Sequence, residues 1–86
     1  MKGKTIYVLE YVETVETNIE SSVGLYANRD DALARMREAV DGVKEEYKYN
    51  LDDAYMEYKE TRFYLHIEGY PADVSIKISV TEQQVW

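Results

Sequence analysis

Carboxylates dominate the groups in this chain that are able to do chemistry. Seventeen Asp and Glu stand against ten Lys and Arg, with one histidine and no cysteine, for a net charge of −7. Three acid pairs are adjacent in sequence, at Asp30-Asp31, Glu45-Glu46 and Asp52-Asp53. Paired carboxylates hydrolyse glycosides when they flank a bond, or hold divalent cations when their oxygens converge. A calcium loop needs acids at alternate positions and a glycine at the sixth, and no segment has that pattern. Two of the pairs fall where a helix start favours negative charge, so capping and solvation account for them. His66 sits on the polar parity of an expected strand. No cysteine, nucleophile elbow or glycine-rich phosphate loop is there to work with it. The expectation is a protein that is not an enzyme, with no catalytic residues, no metal site and no cofactor.

The acids are unevenly placed. Thr5 to Asn28 carries Glu10, Glu13, Glu16 and Glu20 and no Lys or Arg. Residues 44–60, KEEYKYNLDDAYMEYKE, hold four tyrosines and six carboxylates against three lysines. Phosphate recognition needs a basic stripe, so direct nucleic-acid binding is not expected, nor is docking to an anionic membrane. A basic partner is electrostatically permitted and would be steered toward this surface. The candidate partner-binding residues are Glu13, Glu16 and Glu20 at a hairpin tip, with Glu45, Glu46, Tyr49, Asp52 and Asp53. Exposed tyrosine among carboxylates offers contact area at low entropy cost.

The elements that must position these residues follow from periodicity. Ile6 to Val15 is rich in β-branched and aromatic residues and reads as a central strand, covered on one face and lined with tyrosine on the other. A turn at Glu16-Thr17-Asn18 leads into Ile19, Ser21, Val23 and Leu25, which alternate with polar or small neighbours as in a half-buried strand. Such a hairpin sets Glu13 opposite Glu20, and its tip is expected to project beyond the core. Asn28 caps a helix with Asp30 and Asp31 in its first turn. Leu33, Met36, Val40, Val43, Tyr47, Leu51, Ala54 and Tyr58 then follow at helical spacing. One helix through all of them would be about 45 Å long, so a break near Asn50 is expected, with Tyr47 and Tyr58 in the core and Tyr49 and Tyr55 exposed. Phe63, Leu65 and Ile67 mark a strand. Gly69 to Asp73 reads as a turn, and Val74, Ile76, Ile78 and Val80 as a final strand before a loosely held tail.

The expected fold is α+β: a four-stranded antiparallel sheet with one long or broken helix on one face, in the order β-β-α-(α)-β-β. The 86 residues form a single domain, 1–86, large enough for one modest core. No apolar run is long enough for a membrane span, and the early Glu10 does not suit a signal peptide. A cytoplasmic protein is expected.

The tyrosine-rich hairpin followed by VGLYANRDDALARM resembles small proteins of bacterial and phage genomes over residues 6–40. In these a strand ending in V/I-G-V/L-Y/F precedes a polar cap and an alanine-containing helix. In size and charge the chain is similar to acidic phage inhibitors of host nucleases, including anti-CRISPR proteins. The acidic hairpin and helix surface point to a non-enzymatic acidic binding module that occupies the nucleic-acid site of a basic host protein such as a defence nuclease. The alternative is a homo-oligomeric structural or accessory protein, a homodimer for example, with no nucleic-acid-related role.

Overall fold

The computed structural model describes residues 3–69 and 73–85. Strands β1 (Lys4–Val15) and β2 (Asn18–Tyr26) form a hairpin, and helix α1 (Arg29–Glu46) follows. A 3₁₀ turn at Leu51–Asp53 leads into β3 (Ala54–Lys59), β4 (Arg62–Ile67) and β5 (Val74–Val85). All five strands join one antiparallel sheet in the order β2-β1-β5-β4-β3, with α1 packed on one face. The fold is thus α+β with a single helix, and the sheet has five strands rather than four.

The extra strand replaces the expected second half of the helix. Tyr47 ends α1, its N–H donating to the Val43 carbonyl, and Asn50 N–H turns back to Tyr47. Ala54, Met56 and Tyr58 also alternate at period two, so a run this short satisfies strand and helix spacing together. The edge of β4 decides between them. Ala54 pairs with Ile67, Met56 with Leu65 and Tyr58 with Phe63, closing on the two-residue turn Glu60-Thr61. Tyr58 consequently lies at the rim of the sheet and is exposed, whereas Tyr47 is half-buried. Tyr49 and Tyr55 are exposed, as their positions off the stripe predict.

At the start of α1, Asn28 Oδ1 accepts the Asp30 and Asp31 backbone N–H groups at 2.8 and 3.4 Å. The helix buries Ala32, Met36, Val40 and Val43 against Leu9, Phe63, Leu65, Ile76 and Ile78. Ala32 takes the first buried position, with Leu33 packed at the margin. At 18 residues α1 is about 27 Å long, shorter than the ~40 Å of β1 and β5. A helix about 10 Å wide also cannot roof five strands at 4.8 Å spacing. It lies over β5 and β1, leaving a cleft of about 520 Å³ between itself and β2.

Pairing fixes which face each strand residue joins. Phe63, Leu65 and Ile67 and the even positions Val74 to Val80 point under the helix, as their alternation predicts. In β1, Tyr7, Leu9 and Tyr11 are on the helix side, so the tyrosines line the covered face and not the bare one. Leu9 pairs with Gly24 and Tyr11 with Ser22, which sends the small and polar parity of β2 inward. Ile19, Val23 and Leu25 therefore face solvent at 69, 60 and 67% exposure, reversing the half-buried expectation for this strand. The segment Glu82–Val85, expected as a loose tail, extends β5 along β1, with Val85 opposite Lys4. Trp86 and, within the expected Gly69–Asp73 turn, Tyr70, Pro71 and Ala72 lie outside the described residues. No described helix is long and apolar enough to cross a membrane.

Candidate functional site

One row of paired residues defines an end of the molecule. Asn18, Val15, Val74, Ile67 and Ala54 lie side by side across the five strands. The hairpin tip therefore stops level with the sheet end instead of projecting, because β5 pairs with β1 all the way to Val15. Glu16 N–H donates to the Asp73 carbonyl at 3.0 Å and ties the tip to the start of β5. Asp52 and Asp53 immediately precede Ala54 in the same row, and α1 delivers Glu45 and Glu46 to this end as well.

The Glu13 carboxylate links the helix end to the hairpin. Tyr11 donates its hydroxyl to Glu13 Oε2 at 3.0 Å, and Tyr47, from the end of α1, donates to Oε1 at 3.2 Å. Partial burial, the charge of Glu13 and the charge of Glu46 together push the Tyr47 hydroxyl up to about 12. Burial first, then the hydrogen bond to Glu13, raises Tyr11 further still. Both hydroxyls thus stay protonated donors through the physiological range. Glu20 lies directly opposite Glu13, as the hairpin register predicts.

Two features at this tip oppose stability. Like charges directly across a strand pair repel, and among the described residues neither Glu13 nor Glu20 has a Lys or Arg in ion-pair range. Glu16 adopts φ 55°, the left-handed region that a hairpin turn uses and that glycine or asparagine fills with least strain.

The eight candidate contact residues thus come from four segments that the fold brings to one end. Their surroundings differ. Glu45 is engaged by Lys48 at 3.0 Å, whereas Glu46 borders the cleft beside β2. Tyr49 is 88% exposed, with the Lys48 ammonium 5.3 Å from its ring centroid. Asp73, Tyr11 and Tyr47 also shape this end and were not among the candidates. The i, i+2 spacing of Tyr11 and Glu13 places them on one strand face, a signal present in the sequence. The reach of Tyr47 to Glu13 is tertiary and has no local signature.

His66 has a hydroxyl neighbour that periodicity did not disclose. Its Nδ1 is 2.9 Å from Ser75 Oγ, and its Nε2 is 3.6 Å from the Glu68 carboxylate. The order Ser, His, Glu is that of an acyl-transfer relay. Since β5 runs between β1 and β4, the backbone around Ser75 belongs to those two ladders, and among the described residues it offers no oxyanion site. The His66 and Ser75 side chains form a cross-strand hydrogen bond. Among the described residues no three His, Asp or Glu side chains converge to hold a metal ion.

No family model matches the chain, and searches of curated proteins and of solved structures found no match either.

Proposed function

We propose that this chain is a non-enzymatic acidic binding module whose acid-bearing end occupies the nucleic-acid site of a basic partner, in the manner of phage inhibitors of host defence nucleases such as anti-CRISPR proteins. It would act in the cytoplasm, where such partners work. One observation supports the reading above the others. Acid stands at the hairpin tip at two places where local physics disfavours it, the opposed Glu13 and Glu20 and the left-handed Glu16. Strain and repulsion that persist on an exposed turn point to a use for the charge rather than to solvation alone. Charge accelerates encounter with a basic groove, and the exposed Tyr49 ring adds apolar contact that slows release.

The test is a tagged pull-down from nuclease-treated host lysate, run beside a Glu16→Lys, Glu20→Lys, Glu46→Lys variant. A basic nucleic-acid-binding protein should be retained at ~50 mM salt, be released near ~500 mM, where screening shortens to a few ångström, and be displaced by oligonucleotide. The variant, with an unchanged far-ultraviolet circular dichroism spectrum, should retain none of it. Equal retention by the folded variant refutes the proposal.

A further inference from the structure

The sheet ends in two free edges, β2 and β3, and the two differ. An unpaired edge is a template for a further strand, and proteins blunt such edges with short strands, lysine, proline or bulges. β3 is six residues long and carries Lys59. β2 is nine residues long, has no Lys, Arg or Pro, and pairs with β1 without a bulge from Asn18 to Tyr26. Helix α1 does not roof it, since the cleft lies between them. The ladders show which backbone groups of β2 are free. Glu16 N–H bonds to the Asp73 carbonyl, so even positions of β1 bond toward β5 and odd ones toward β2. The even residues of β2 therefore bond inward to β1, and Ile19, Ser21, Val23 and Leu25 turn their N–H and C=O to solvent.

We propose that β2 pairs antiparallel with β2 of a second copy, joining two sheets into one. The side chains favour a copy over an unrelated strand. Of the two-fold symmetric registers, only the one centred on Ser22 pairs all nine residues. On the bare face it sets Ile19 opposite the partner's Leu25 and Ser21 opposite the partner's Val23, with Val23 diagonal to its own copy. Aliphatic side chains that are 60–69% exposed in the single chain thus meet their counterparts. On the helix side Glu20 falls opposite the partner's Gly24, which keeps the two Glu20 carboxylates roughly 14 Å apart along the strands. The Tyr26 ring lies over Gly24, its hydroxyl 3.3 Å from the place a Cβ would occupy. A donor therefore stands within reach of the partner's Glu20.

The backbone matches in the same register. Ile19 with the partner's Leu25, and Ser21 with the partner's Val23, are pairs of outward-facing residues that each donate and accept, for about eight new hydrogen bonds in all. The two-fold axis stands normal to the sheet, so both helices lie on one side. Antiparallel pairing also points the two hairpin tips away from each other. The acidic ends, which repel, are then at opposite poles of the dimer and open to other partners. The inference stands apart from the function proposed for those ends.

The chain has no cysteine, so a single introduced one reports the register. Ser22→Cys lies at the two-fold axis, where opposed Cα atoms are about 4.5 Å apart, and mild oxidation should give a disulfide-linked dimer. In Val23→Cys the corresponding Cα atoms are about 8 Å apart, beyond disulfide reach, and linkage should fall about tenfold or more. Sedimentation equilibrium at about 100 μM reads association without a cross-link, and the wild-type chain should have twice its 10.1 kDa mass. Ser21→Pro removes an outward N–H and no bond to β1, so with an unchanged circular dichroism spectrum it should weaken association about tenfold or more. A monomeric wild type overturns the proposal, and so does a dimer that survives in folded Ser21→Pro. Equal linkage at residues 22 and 23 also overturns it, and the cysteine pair alone decides if Ser21→Pro does not fold.

Discussion

Replacing Glu20 with lysine should stabilise the fold while abolishing partner binding. Glu20 lies directly opposite Glu13 on the helix side of the hairpin, where Cβ atoms are about 5 Å apart. With the carboxylates at about 6 Å, a water-like dielectric gives a repulsion of about 0.7 kcal/mol. Lysine turns that repulsion into a comparable attraction, so the swing is on the order of 1 kcal/mol at low salt. For a domain of this size that raises Tm by roughly 5 °C. Physiological salt, with a screening length of about 8 Å, should halve the gain. Thermal unfolding followed at 222 nm in 20 mM and 500 mM NaCl reads both quantities. No stabilisation, or one that ignores salt, would remove repulsion from the account of this tip. Stabilisation with binding intact would leave Glu20 as ordinary solvated charge.

Glu16→Gly should relieve the left-handed strain at the turn and stabilise by about 0.5–1 kcal/mol after glycine's own entropy cost, read as a shift in urea midpoint. Leu65→Ala, at a fully buried position on β4 facing α1, should cost about 2–5 kcal/mol through the cavity it leaves, measured in the same titration. Raising pH should destabilise the fold only above about pH 10. The hydroxyls of Tyr11 and Tyr47 are raised in the folded state, so their contribution is complete below the unfolded tyrosine value and is lost as pH rises toward about 12 for Tyr47. Absorbance at 295 nm should show the late ionisation of these two hydroxyls, and Tyr47→Phe should remove one late step.

The parts of this fold that were legible in the sequence are those where one residue pattern admits one structure. Asn28 with its following acids fixes a helix start. The clean alternations of Phe63 to Ile67 and Val74 to Val80 fix two strands together with their buried faces. Glu13 opposite Glu20 follows from the hairpin turn alone. Residues 51–58 were not legible, because Leu51, Ala54 and Tyr58 fit helical spacing while Ala54, Met56 and Tyr58 fit a strand, and only the waiting edge of β4 decides. The buried face of β2 was hidden for a different reason. Its apolar parity is the wrong guide, since Gly24 must lie under Leu9's side of the sheet beside the helix cleft. At the acidic end the residues were individually visible, yet their convergence depends on strand order, which no local pattern encodes.

Strand order also governs how the chain can fold. The β1–β2 and β3–β4 hairpins are local, and each can form from adjacent sequence. Neither touches the other in the sheet: β5 alone lies between them, pairing with β1 on one side and β4 on the other. Its pairing with β1 reaches from Lys4 to Val85, so the largest ladder closes a loop of nearly the whole described chain. Such non-local closure loses entropy before contacts reward it, and it slows folding. On a ribosome, the two hairpins and the helix would wait with unpaired edges until β5 emerges. During that interval the edges of β1 and β4 that β5 later pairs stand open to whatever else is being made nearby.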